Sequence, residues 1–90
     1  MRKEEFIIYG TETCVYCDKA KTLLDHYDKN WSFINIMESK EIQQAFFKKA
    51  RNRKTVPQVF LYDPARTYGN ETMEVLIGGY DQLSKFLKGN

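Results

Sequence analysis

Two cysteines with only two residues between them, Cys14-Val15-Tyr16-Cys17, are the only cysteines in the chain. The apolar run Phe6-Ile7-Ile8-Tyr9 precedes them and stops at Gly10. After them, apolar residues recur at Val15, Ala20, Leu23, Leu24 and Tyr27, with Asp18, Lys19, Lys21, Thr22 and Asp25 between, which is a helical stripe. A thiol pair is thus held at the tip of a strand and on the first turn of a helix. Thiol–disulfide chemistry is most readily tuned there.

The remaining elements follow from this start. The first strand is expected from Glu5 to Tyr9, and Thr13 is expected to cap the helix that runs to about Tyr27. Trp31 to Ile36 alternates and reads as a second strand. Strand, helix and strand within about thirty residues form a βαβ unit with parallel strands and a right-handed crossover. Ser39 caps a second helix carrying Ile42, Ala45, Phe46, Lys49 and Ala50, and the basic patch Lys48 to Lys54 closes it. Thr55-Val56-Pro57 leads into a third strand, Gln58 to Tyr62, where an entrance proline costs no ladder bond. Asp63 to Thr72 is rich in turn formers and reads as a loop. Met73 to Ile77 is the fourth strand, antiparallel to the third. Gly78-Gly79 ends it, and a helix from Tyr80 to Lys88 turns Leu83, Phe86 and Leu87 inward. The expected fold class is α/β: a four-stranded mixed sheet flanked by three helices in the order β-α-β-α-β-β-α.

Composition narrows the function. Ninety residues suit one domain, 1–90, and 42% hydrophobic with 29% charged residues fits a soluble protein. A net charge of +2 is too small to indicate nucleic acid, and no apolar run reaches membrane-spanning length. Met1-Arg2-Lys3-Glu4-Glu5 has no apolar stretch of the kind a secretion signal carries, so a reducing cytoplasm is expected. In that compartment a cysteine pair is more often catalytic than structural. His26 is the only histidine and reads as an ordinary helix residue, and no metal is expected. Asn70-Glu71-Thr72 matches a glycosylation acceptor by chance.

C-V-Y-C after a strand, T-V-P before the third strand and I-G-G-Y-D after the fourth together resemble glutaredoxins, on a thioredoxin-like fold. The stretches I-N-I-M, P-Q-V-F and G-G-Y-D-Q-L are most similar to the short glutaredoxins of large tailed bacteriophages, which would make the compartment a host cytoplasm. The resemblance implies a cis Pro57 facing the cysteines. It also implies reduction of protein disulfides and glutathione mixed disulfides, with glutathione as reductant, and ribonucleotide reductase among the protein partners of a monomer. Three other readings stay open: a glutathione-bridged iron–sulfur carrier, a thioredoxin-like reductant fed by a flavoprotein reductase, and a non-catalytic adaptor that uses the fold only for protein contact.

At a helix N-terminus, unpaired N–H groups favour a negative sulfur, so Cys14 is the expected nucleophile and Cys17, one turn on, the resolving thiol. A helix-terminal cysteine of pKa about 5 gains roughly thirtyfold in thiolate at neutral pH and loses a similar factor in nucleophilicity. The net gain is as a leaving group, which suits release of a mixed disulfide. By resemblance, the Val56 backbone pairs with the cysteinyl part of glutathione, held by Pro57. The amides of Gly79, Tyr80 and Asp81 bind the γ-glutamyl carboxylate, and Asp81 accepts from its ammonium group. Lys54 and Gln44, or Gln43 in a shifted register, meet the glycyl carboxylate, and Tyr16 packs beside the sulfur. The chain departs from the family pattern at Val15, where proline is common, and at Thr11, where lysine is common. Glu12 opposes a thiolate at Cys14, and Lys19 and Lys21 offset it only if they face that sulfur. The long segment Asp63 to Thr72 is expected to touch a protein substrate.

Overall fold

The computed structural model describes residues 4–50, 55–68 and 71–89, with side chains described outside 64–73. The elements are β1 (Glu5–Gly10), α1 (Val15–His26), β2 (Trp31–Asn35), α2 (Lys40–Lys49), β3 (Gln58–Tyr68), β4 (Glu71–Gly78) and α3 (Tyr80–Lys88). They form a four-stranded sheet in the order β2-β1-β3-β4. β1 pairs parallel with β2, Phe6 opposite Trp31 and Gly10 opposite Asn35. It pairs antiparallel with β3, Glu5 opposite Tyr62 and Tyr9 opposite Gln58. The mixed sheet and three helices are those of a thioredoxin-like fold.

Alternation along β1 splits the core across the sheet. Phe6 and Ile8 meet Ala20 and Leu24 of α1, Leu83 of α3, and Val59 and Leu61 of β3. Tyr9 faces the other way, against Phe46 and Ala50 at the end of α2 and Phe60 of β3. The sheet is therefore covered on both faces, and β1 is held from both sides. Ser39 caps α2 as expected, its Oγ accepting from the Ile42 N–H at 3.1 Å. Lys49 ties the end of α2 to β4 and β1, donating to the Glu74 carboxylate and to the Tyr9 hydroxyl.

Four expectations are corrected. The segment read as a loop is mostly strand: Thr67 pairs with Thr72 and Tyr68 with Glu71. A register shift between Tyr62 and Thr67 takes up the stretch containing Pro64, whose missing N–H had marked it as loop. Phe86 is half exposed rather than inward, although its ring meets the edge of Phe6 at 6.1 Å. In α2, Phe47 rather than Ala45 packs on the core. Val15 lies off the inward stripe of α1 and is 65% exposed.

Phe46 has no accessible surface. Phe46→Ala is expected to lower unfolding stability by about 3–5 kcal/mol, measured by urea denaturation. A loss below about 1 kcal/mol would mean that α2 does not seal its face of the sheet.

Candidate active site

β1 carries the chain to the cysteines and α1 begins at them. Cys14, not Thr13, is the N-cap of α1: its backbone is extended, with φ −90° and ψ 111°. The Cys14 N–H donates to the Thr11 carbonyl at 3.4 Å, and this tight turn moves the helix boundary one residue beyond Thr13. The Cys14 Sγ accepts from the Cys17 N–H at 3.1 Å. The sulfur therefore fills the role that a serine or aspartate oxygen fills at other helices, and it satisfies a backbone donor that the helix leaves unpaired.

The two thiols sit in different surroundings. Cys14 is partly exposed, whereas Cys17 is fully buried. Burial pushes the Cys17 thiol up from 9.0 to about 12, and the sulfur of Cys14 adds to the rise through its hydrogen bond and charge. A bond from the Thr11 backbone and the charge of Lys21 act in the opposite direction. Space for the buried sulfur comes from Gly10. A Cβ there would lie 2.2 Å from Cys17 Sγ and 3.2 Å from Phe33 Cε1. Gly10 escaped the sequence reading as a site residue because a glycine after a strand ordinarily marks a turn. Its place four residues before the first cysteine was the available signal.

The first turn of α1 meets the start of α3, which in turn lies against the Val56–Pro57 segment. The Tyr16 ring, half exposed, stands 5.8 Å from the Tyr80 ring at the start of α3. The Lys19 ammonium lies 4.8 Å over the Tyr16 ring. The Val56–Pro57 bond is cis, as expected, and the Pro57 carbonyl comes within 3.5 Å of where a Cβ of Gly79 would sit. Gln58, buried behind this proline, donates to the Thr55 carbonyl and hydroxyl, both at 3.1 Å. It thereby fixes the turn that presents Val56. A groove of about 530 Å³ runs from Val15 and Tyr80 along α1 to His26.

At the start of α3 one of the three amides expected to bind a carboxylate already has a partner. Gly78 has φ +123°, a conformation open to glycine and strained for other residues. The Gly79 N–H donates to Gln82 Oε1 at 3.0 Å, so this amide is already engaged. Tyr80 and Asp81, in the first turn of α3, keep amides without a helical partner. Gln82 was not singled out from sequence; a glutamine three residues after a helix cap is the signal that finds it. Asp81 is exposed. Gln44 is exposed on α2, and no described contact joins it to the cysteines; Gln43 instead donates to Met37 Sδ at 3.5 Å. Lys54 lies outside the described residues. Among the described residues, no group of three His, Cys, Asp or Glu is placed to hold a metal.

Comparison with known proteins finds glutaredoxins. The glutaredoxin family model matches residues 6–63. The glutaredoxin of Enterobacteria phage T4 is 35% identical over 96 residues, covering 92% of this chain and 99% of the phage protein. A solved glutaredoxin from Brucella melitensis has a TM-score of 0.64 at 28% identity, over 94% of this chain and 80% of that one. A buckwheat glutaredoxin–glutathione complex has a TM-score of 0.65 at 23% identity, over 96% of this chain and 71% of that one.

Two measurements probe the buried sulfur. Gly10→Ala forces Cys17 from its niche and is expected to cost about 1–3 kcal/mol and to slow closure of the internal disulfide; unchanged stability and closure would show that the niche is slack. The second uses pH. The folded protein holds the Cys17 proton more tightly than the unfolded chain, so this stabilisation is complete below 9.0 and is lost as pH rises toward 12. The stability difference between wild type and Cys17→Ala should therefore shrink across that interval. A difference independent of pH would contradict the assigned burial.

Proposed function

Because the chain belongs to the glutaredoxin family and is a thiol–disulfide oxidoreductase, we propose that it works with glutathione, with Cys14 as the attacking sulfur and Cys17 as the resolving one. The observation that carries this division is the asymmetry of the pair: an accessible sulfur that accepts from a helix N–H at 3.1 Å, and a buried one that holds its proton. The Cys14 thiolate attacks the disulfide of a substrate. One substrate sulfur leaves as a thiol, and the other stays bonded to Cys14. With a protein disulfide, the Cys17 thiolate then attacks Cys14, the internal disulfide forms and the reduced substrate departs. One glutathione thiolate then opens the internal disulfide to a mixed disulfide on Cys14, freeing Cys17, and a second attacks the glutathione sulfur, leaving as glutathione disulfide and returning the dithiol.

The surroundings suit a small anionic peptide. Val56, preceding Pro57, offers its backbone to the cysteinyl unit in the manner of an added strand. The free amides of Tyr80 and Asp81 receive the γ-glutamyl carboxylate, with Gly79 and its Gln82 bond shaping the turn. Asp81 accepts from the ammonium group, and Tyr16 lies along the sulfur. Lys54 and Gln44 remain the proposed partners of the glycyl carboxylate. The buckwheat protein, solved in complex with glutathione, supports this reading through its shared fold. Protein substrates are disulfide-bearing enzymes such as ribonucleotide reductase. The enzyme acts as a one-domain monomer in the cytoplasm, without a metal.

Glutathione-coupled reduction of a mixed disulfide and of a protein disulfide tests the assignment. Cys14→Ser should abolish both, whereas Cys17→Ser should keep part of the first and lose the second. Activity retained in Cys14→Ser would reverse the roles. A wild-type enzyme reduced by a flavoprotein reductase but not by glutathione would remove the glutathione reading.

A further inference from the structure

Lys19 and Lys21 leave α1 on different sides. Lys19 covers Tyr16 near the accessible sulfur. The Lys21 ammonium is instead drawn under the helix, 3.9 Å from the centre of the Phe33 ring and 5.9 Å from that of Trp31. Its side chain is only 28% exposed, and its carboxylate neighbour, Asp18, is 3.7 Å away and largely in solvent. Lys21 follows Cys17 by four residues, one helical turn on the same face. The niche that holds Cys17 Sγ against Gly10 is bounded by the edge of the same Phe33 ring. One aromatic ring thus has a cation on its face and the buried sulfur near its rim.

We propose that Lys21 is a positioning residue for the resolving step: its half-buried ammonium, fixed on Phe33, supplies the positive charge that lets Cys17 ionise inside the core. This rests on the roles assigned above to the two cysteines. Before resolution Cys17 carries a proton, and water does not reach its sulfur. While Cys14 is free, its sulfur opposes ionisation of Cys17 by hydrogen bond and charge. Once Cys14 is tied in a mixed disulfide, its charge is gone and the Lys21 charge remains. The groups that bear on Cys17 are then the Thr11 backbone and Lys21, with Asp18 tempering Lys21 from the solvent side. In the step itself the Cys17 proton passes to solvent. The Cys17 thiolate attacks Cys14 Sγ, the Cys14–Cys17 bond forms, and the bond from Cys14 to the departing sulfur breaks, releasing a thiolate.

Reaction with the aromatic disulfide dithiobis(nitrobenzoate) separates the steps without glutathione. A first coloured thiolate leaves when Cys14 attacks, at a rate proportional to probe concentration. A second leaves when Cys17 resolves, at a rate independent of it. Lys21→Met should leave the first phase unchanged and slow the second about tenfold at neutral pH, the effect of one pKa unit. Its second-phase pH profile should move to higher pH. Lys21→Arg, which keeps the charge, should restore most of the rate. Equal slowing by Met and Arg, with no movement of the pH profile, would show a packing role and overturn the proposal, as would a wild-type second phase in Lys21→Met. Cys14→Ser that still releases the first thiolate would instead overturn the cysteine assignment.

Discussion

The hydrogen bond from the Cys17 N–H to Cys14 Sγ joins the chemistry to the fold. It is a helix cap, so it forms only if α1 starts at Cys14, and α1 starts there because β1 ends at Gly10 and Thr11 turns the chain. The same bond ties the Cys14 sulfur to the backbone of Cys17. Replacing that sulfur changes the helix terminus as well as the proposed nucleophile. The site is built into the secondary structure rather than laid on its surface.

The remainder of the molecule keeps this terminus in place. β1 is paired on both edges and covered on both faces, by α1 and α3 on one side and α2 on the other. β3 brings the cis Val56–Pro57 turn, and β4 ends at Gly78, whose positive φ redirects the chain into α3. Cys17 is a core residue whose burial raises its thiol pKa, and in the proposed cycle the half-buried Lys21 supplies the charge that lets it act after Cys14.

Much of this was legible from residue order. Two cysteines between a strand pattern and a helical stripe located the site, and the glycine pair with the following apolar stripe marked α3. The resemblance carried by C-V-Y-C, T-V-P and G-G-Y-D reached the family and the cis Pro57. Other features depended on three-dimensional packing. Gly10 has the same sequence signature whether it makes a turn or makes room for a sulfur. The pairing of β3 with β4 was expected, but its outer part was hidden because Pro64, Gly69 and Asn70 are loop markers, and a register shift between Tyr62 and Thr67 lets the ladder resume beyond it. The spacing puts Lys21, not Lys19, one turn beyond Cys17 on the same face of α1, but that its ammonium rests on the Phe33 ring of the edge strand was not legible without the packed sheet. Gln82 bonding back to Gly79 was open to a capping-box reading, but its consequence for the ligand amides required the observed geometry.

The asymmetry of the two sulfurs is the central claim, and site-resolved alkylation measures it directly. Reduced native protein treated with iodoacetamide at neutral pH, then unfolded, digested and analysed by mass spectrometry, should carry the label on Cys14 alone, with Cys17 reacting only after unfolding. Labelling of Cys17 in the native protein at a rate comparable to Cys14 would contradict the account.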